Sequence, residues 1–328
     1  MEESLLASFK IWALLDERAG NTSQTLGVAD ALGLPYETRD IRFGPLIRLP
    51  NPLVWWNTIG ITAATRGTLT PPWPDIMITT ARRLGLVAAY IKRKNPATFT
   101  AQIQWTGYPS GMLDLVATPM HDGIPEGGNV MLTLGAPHRV TPAKLETEAA
   151  AWRSILAHLP SPRIAVLIGG SGKPEDFASK HAVALATRSA GLAKATGGSL
   201  LITTSRRTGD AMPTQMLPHL DCPHYLYAWQ QGGNPPANPY YGFLGLADMV
   251  IATGDSVSMI SEACATGKPV YVYEGDDFMS RKHKAFVRQL YDRDLARKLQ
   301  GNTPLFTPAG RFDDSADIAN AIRKRLAI

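Results

Sequence analysis

Cysteine is nearly missing: 328 residues contain two, Cys222 and Cys264. Two thiols cannot build the disulfide framework of a small secreted domain, and no Cys-x-x-Cys or Cys/His pair has zinc-ligand spacing. No apolar run reaches the ~18 residues of a membrane-spanning helix. A basic leader is lacking as well, since the chain opens Met1-Glu2-Glu3-Ser4, acidic where a signal peptide is positive. These absences predict a soluble protein of the reducing cytoplasm, able to touch a membrane only peripherally. Charge is modest: Lys+Arg 33 against Asp+Glu 28 leaves +5, which suits an anionic partner but does not indicate nucleic acid. Short repeats and low-complexity tracts are also missing.

What is present is ordinary globular composition, 45% hydrophobic and 19% charged, in a length that fits two domains. Apolar runs of about five residues alternate with helix-like stretches. In the first half the runs are Ile11–Leu15, Ile76–Thr80, Phe99–Trp105, Leu115–Thr118 and Val130–Thr133, and Thr141–Leu159 reads as a long helix. Pro160 and Pro162 then break the chain. The alternation restarts with Ile164–Ile168, Leu200–Thr204, His224–Tyr227, Met249–Ala252 and Val270–Tyr273. Buried β-branched strands separated by helices imply parallel sheets covered on both faces. The fold class expected is α/β, with two doubly wound Rossmann-like domains facing a cleft. Their expected limits are 1–160 and 161–312, with a last helix at about 313–328 that can pack back on the first.

Three motifs carry chemistry. The strand Ile164–Ile168 runs into Gly169-Gly170-Ser171-Gly172-Lys173-Pro174 and a helix. Glycines let backbone amides approach a phosphate, and a helix N-terminus adds positive charge. Pro174 excludes a P-loop, and Glu175 stands where the dinucleotide fingerprint has its third glycine. A plain β–α turn is the alternative. Next, Ser205-Arg206-Arg207-Thr208 ends the following strand, where doubly wound sheets bind ligands, and guanidinium forks match paired phosphate oxygens. A solvated, loop-capping pair is the alternative. Third, the strand Met249–Ala252 leads to Asp255-Ser256-Val257-Ser258 and a helix holding Glu262. Ser256 and Ser258 can bind phosphate or cap the helix, and Glu262, about a turn on, can reach a ribose diol or face solvent.

Asp255–Tyr273 (DSVSMISEACATGKPVYVY) resembles the mitochondrial fission ELM family, as do Ser205–Thr208, Ile168-Gly169-Gly170 and Gln102-Ile103-Gln104. So do Asp16–Asn21 with Gln24, Thr118–Asp122 and Thr133–His138. The likeness runs in order from about Ile11 to Tyr273. The family often has Ser-Gly-Arg after its third strand, where this chain has Thr80-Ala81-Arg82. Bacterial members are regarded as candidate glycosyltransferases of the GT-B type, and the plant relative is implicated in recruiting a dynamin-related protein.

The resemblance implies that the second domain binds a nucleoside-diphosphate sugar. Diphosphate contact would come from Gly169, Gly170, Ser171, Gly172, Ser205, Arg206, Arg207, Ser256, Val257 and Ser258, and ribose contact from Glu262. Tyr225–Gln230 stands where such enzymes hold the base. In the first domain Asp16, Asn21, Asp122 and His138 follow strands, so Asp16, Asp122 and His138 are the catalytic candidates, a carboxylate serving as general base. Asp16 capping the next helix and Asp122 turning with Gly123 are the structural alternatives.

No metal or other cofactor is expected. Asp292-Arg293-Asp294 has metal-transferase spacing but sits in the charged, helix-like stretch Arg281–Leu299 and reads as a solvated face. Between Tyr36 and Lys94 nine Lys/Arg face three Asp/Glu, with Trp55 and Trp56 among them. That segment suits anionic lipid, and equally a packed core with arginines outside it. The leading expectation is transfer of sugar to a glycan, lipid-linked or lipopolysaccharide-core acceptor at the inner face of the membrane. A non-enzymatic adaptor and a nucleotide-sugar epimerase are the alternatives.

Overall fold

The computed structural model describes residues 9–54, 58–107, 110–170, 174–229, 238–301 and 303–328. Trp55, Trp56, Ser171, Gly172 and Gln230 lie outside the described residues. The chain forms two compact units, 1–139 with 313–328, and 140–312. Each holds one parallel, six-stranded sheet flanked by helices, an α/β fold.

The first sheet comprises β1 (Ile11–Leu15), β2 (Glu37–Asp40), β3 (Ile76–Thr80), β4 (Phe99–Ile103), β5 (Leu115–Pro119) and β6 (Val130–Thr133), in the order 2-1-3-4-5-6. β3, β4 and β5 are buried throughout, as central parallel strands must be. β1 is followed by α1 (Ala19–Leu32), the short α2 (Asn51–Val54) and α3 (Ala63–Thr68) precede β3, and α4 (Ala81–Lys94) follows it. The helix α11 (Asp314–Leu326) belongs to this unit. Its Ile318, Ala319 and Ile322 pack with Ile11, Ile76, Ile78 and Leu115. The Arg323 guanidinium donates to the last carbonyls of α1, Ala31 at 2.7 Å and Leu32 at 2.9 Å.

The second sheet comprises β7 (Arg163–Ile168), β8 (Ser199–Thr204), β9 (His224–Tyr227), β10 (Met249–Thr253), β11 (Val270–Tyr273) and β12 (Arg297–Lys298), in the order 12-11-10-7-8-9. Counted within the unit that order is 3-2-1-4-5-6 from its other edge, the dinucleotide-binding topology. Its helices include α5 (Pro142–Arg153), α6 (Pro174–Thr196), α7 (Ala211–Met216), α8 (Tyr240–Leu246), α9 (Val257–Ala265) and α10 (Arg281–Tyr291).

Three sequence expectations change, the first being the helix expected over Thr141–Leu159, which stops at Arg153. The units divide at Arg139–Val140 rather than at Pro160–Pro162. The reason is Trp152 of α5, whose ring meets Phe243 and Tyr225 edge-on at 5.6 and 5.9 Å, so α5 joins the second core. The stretch Arg281–Leu299 is not one helix: α10 stops at Tyr291, Asp294 takes φ 51°, and β12 follows.

Candidate functional site

A doubly wound sheet opens a crevice at the carboxyl ends of the two strands where the strand order reverses. In the second unit these are β7 and β10, neighbours in register from Met249 against Ile164 to Ala252 against Leu167. The turns after them meet. The Gly169 amide donates to Thr253 Oγ1 at 2.9 Å, and the Gly170 amide donates to Asp255 Oδ2 at 2.8 Å. A Cβ on Gly169 would lie 2.6 Å from Asp255 Oδ2, and one on Gly170 would lie 2.2 Å from the Arg207 carbonyl oxygen. Only glycine permits both approaches.

The third turn follows β8. Ser205 Oγ donates to the Gly169 carbonyl at 3.0 Å, and Thr208 Oγ1 donates to the Ile168 and Gly169 carbonyls. The Ser205 amide donates back to Thr208 Oγ1 at 2.8 Å. Arg206 and Arg207 thus ride on an anchored turn with exposed side chains. Arg207 Nη2 lies 3.6 Å from Asp255 Oδ2. His283, half-buried on α10, completes the group: burial holds its pKa down, Asp255 opposes that and Arg207 adds to it.

α9 starts here. Ser256 is its N-cap, its Oγ accepting the Met259 amide at 3.5 Å, and Val257 and Ser258 are its first residues. Amides at those positions have no acceptor inside the helix, and they sit at its positive end. Glu262, a turn and a half along, is 7% exposed. Its Oε2 accepts the Tyr240 hydroxyl at 2.5 Å and its Oε1 the Tyr241 hydroxyl at 3.3 Å.

In the first unit the order reverses between β1 and β3, and Asp16 and Ala81 follow those strands. Asp16 Oδ1 accepts the Arg18 amide at 3.0 Å, and Asn21 Nδ2 donates to Oδ2 at 3.0 Å. Arg83 Nη2 lies 3.7 Å from Asp16 Oδ2, whose side chain is 1% exposed. Arg83 also binds Glu17 at 2.8 Å. Asp122 Oδ2 accepts the Thr118 hydroxyl at 3.3 Å, and Gly123 closes that turn at φ 71°. His138 is 3% exposed, and its main chain is clamped: its amide donates to Ser315 Oγ, which donates to its carbonyl, both at 2.7 Å. These bonds tie Asp16, Asp122 and His138 to separate sets of neighbours.

A polar network backs this edge. Gln102, 1% exposed, accepts the Thr79 hydroxyl at 2.7 Å and donates to the carbonyls of Ala81, Ile103 and Gln104. Gln104 Nε2 donates to Gln24 Oε1 at 3.0 Å. Ala81 and Gln104 have φ 64° and 68°. Alanine therefore stands in a left-handed conformation that favours glycine.

Sequence reasoning grouped Gly169, Gly170, Ser205, Arg207 and the start of α9, and the structure brings these together. It overlooked Thr253, Asp255, Thr208 and His283 as partners of that group, and Tyr240 and Tyr241 as partners of Glu262. Asp255 was visible as a strand-end acid, whereas the tyrosines gave no local signal. Among the described residues no group of three or more His, Cys, Asp or Glu could hold a metal ion. Likewise no described helix is long and apolar enough to cross a membrane.

Several solved structures share the fold. The UDP-GlcNAc 2-epimerase from Methanocaldococcus jannaschii superposes with TM-score 0.60 over 98% of this chain and 100% of that one, at 12% identity. The Neisseria meningitidis UDP-GlcNAc 2-epimerase bound to UDP-GlcNAc gives 0.52 over 97% and 99%, at 11% identity. Os79 from O. sativa in complex with UDP gives 0.50 over 97% and 91%, at 10% identity. At these identities the likeness is one of fold, of the GT-B type. Two relatives align by sequence. The uncharacterized protein RP120 of Rickettsia prowazekii (strain Madrid E) is 27% identical over 88% of this chain and 89% of its own. Mitochondrial fission protein ELM1 of Arabidopsis thaliana is 32% identical over 82% of this chain and 67% of its own. The family model for mitochondrial fission ELM1 matches residues 19–326, and the chain belongs to that family.

Proposed function

We propose that the protein is a metal-independent glycosyltransferase, moving a sugar from a nucleoside-diphosphate donor to a glycan or lipid-linked acceptor. The observation that carries this reading is the meeting of the β7, β8 and β10 turns at the switch point, beside the start of α9. Solved proteins of this fold in complexes with UDP-GlcNAc and UDP support a donor of that class.

The geometry divides the roles. Because the Gly169 and Gly170 amides already bind Thr253 and Asp255, these glycines shape the crevice, and the diphosphate falls to Arg206, Arg207, Ser256 and the amides of Val257 and Ser258. Ser205 holds the arginine turn. Glu262 takes the ribose. The first unit takes the acceptor, with Asp122 as general base. Asp122 is half-exposed with a 3.3 Å bond, whereas the Asp16 side chain and His138 are buried.

Calorimetry with nucleoside diphosphates tests the donor site. Arg206→Ala and Arg207→Ala should each lose about 1–3 kcal/mol, the worth of a charge-assisted hydrogen bond. Undiminished binding in both variants removes the arginines from the site. Asp122→Asn should lower kcat for transfer at least ~100-fold, as loss of a general base does, while donor affinity holds.

A second reading, a nucleotide-sugar epimerase, is favoured by the TM-score of 0.60 with such an enzyme. It requires conversion of the donor sugar with no acceptor present, so incubation with UDP-sugars alone separates the two. A third, an adaptor in organelle fission, follows from the name of the plant relative. It requires no sugar turnover at all.

A further inference from the structure

We propose that Tyr240 is the positioning residue for ribose recognition, holding the Glu262 carboxylate in its binding orientation while the Tyr241 hydroxyl yields to a ribose hydroxyl; this rests on the donor-site reading above.

The argument starts from the carboxylate. Glu262 sits within α9 at 7% exposure, so its side chain is confined, yet the torsion that turns the carboxylate about its own axis is soft. Something must fix that angle if two sugar hydroxyls are to find two oxygens. The Tyr240 and Tyr241 bonds to Glu262 are unequal. Tyr240 reaches Oε2 at 2.5 Å, the length of a strong O–H···O⁻ bond, while Tyr241 reaches Oε1 at 3.3 Å, beyond the usual range. Burial, with the Glu262 carboxylate beside it, pushes the Tyr240 hydroxyl well above its ordinary pKa, so it remains a donor across the working range.

The supports behind the two rings differ also. Tyr240 opens α8, which packs in the unit's core through Phe243 and Leu244, both fully buried. Tyr241, half-buried like Tyr240, meets it edge-on at 5.3 Å and carries the Lys144 ammonium 4.6 Å above its ring. Two phenol hydroxyls on two carboxylate oxygens present the same donor pair as the vicinal diol of a ribose. Each carboxylate oxygen accepts about two hydrogen bonds. In this arrangement Oε2 keeps Tyr240, and Oε1 exchanges its long Tyr241 bond for a better one.

The test is calorimetry on the full chain with UDP and 2′-deoxy-UDP, with ADP and GDP and their deoxy forms run alongside. The quantity read is the ribo-to-deoxy affinity ratio, expected to be about tenfold in the wild type, one good hydrogen bond. Tyr240→Phe keeps the ring and should lower that ratio threefold or more. Tyr241→Phe should leave it at or above the wild-type value. If Tyr240→Phe does not fold, Glu262→Asp draws the carboxylate back from both hydroxyls and should lower the ratio equally. An unchanged ratio in Tyr240→Phe, even with a lower melting temperature, makes Tyr240 structural only and overturns the proposal. Equal loss in the two phenylalanine variants overturns the asymmetry between them. Diphosphate binding without ribose preference in the wild type removes the Glu262 assignment while leaving the diphosphate site. Absence of binding to every nucleotide refutes the donor-site reading itself.

Discussion

Gly170→Ala should dismantle the candidate donor site from the backbone outward. The added Cβ would stand 2.2 Å from the Arg207 carbonyl oxygen and 2.6 Å from the Thr208 nitrogen, both main-chain atoms with no rotamer to relieve the clash. Reaching even 3.0 Å requires about 0.8 Å of backbone movement. That movement pulls the 205–208 turn from β7, where Ser205 and Thr208 hold the Ile168 and Gly169 carbonyls. Overpacking costs about 1–3 kcal/mol, and each weakened hydrogen bond up to about 1 kcal/mol. A total of about 2–5 kcal/mol follows, or a fall of roughly 5–15 °C in the melting temperature of the 140–312 unit. Thermal unfolding followed by circular dichroism reads this. The internal control is Gly191→Ala on α6, where a Cβ meets nothing within 4 Å. That change should stabilise by about 0.5–1 kcal/mol, because alanine is the better helix former. A wild-type midpoint in Gly170→Ala, or a fall in Gly191→Ala as large as that in Gly170→Ala, refutes the steric argument.

Ala81→Gly should stabilise the first unit by about 1 kcal/mol, because φ 64° burdens alanine and not glycine; a lower urea midpoint contradicts this. Asp314 accepts the Leu134 and Gly135 amides at 3.0 and 2.7 Å, yet burial raises its pKa to about 6. The folded state thus holds the proton more tightly than the unfolded chain, whose carboxyl titrates near 3.8. The associated stability, about 3 kcal/mol, is full below about pH 4 and lost as pH rises through 6. Urea titrations at pH 4 and 7 should show that decline in the wild type and lack it in Asp314→Asn. We also propose that the first unit touches anionic membrane. Leu46, Leu53 and Ile59 are 45%, 60% and 46% exposed inside the basic segment Tyr36–Lys94. The chain should sediment with anionic vesicles at low salt and leave them at high salt, and Leu53→Glu should weaken this without unfolding; indifference of the wild type to such vesicles ends the idea.

The ten strand runs read from the sequence all appear: eight are central parallel strands that write themselves as short apolar runs, and the edges β6 and β9 keep enough Val, Leu and Tyr to be read. The two strands left unread are edges. β2 is Glu37-Thr38-Arg39-Asp40, mostly exposed, and β12 is two basic residues, so neither carries an apolar signal. The division between units was also illegible. Prolines mark where a helix cannot continue, but what assigns α5 to the second unit is Trp152 against Phe243, ninety-one positions away. The site shows the same limit. Glycine turns and helix starts are local and were readable. The Gly170–Asp255 bond spans 85 positions and exists only once the strands are ordered.

The first unit is interrupted: residues 140–312 lie between its sheet and α11. On a ribosome making roughly 5–20 residues per second, the intervening unit occupies on the order of ten to thirty seconds. It is contiguous, so it can complete its core as soon as it emerges. The earlier-made sheet cannot, since the apolar surface around Ile11, Ile76, Ile78 and Leu115 stays uncovered until Ile318, Ala319 and Ile322 arrive. Order of synthesis and order of maturation are therefore reversed: the half made second can finish first, and the half made first waits with part of its core open.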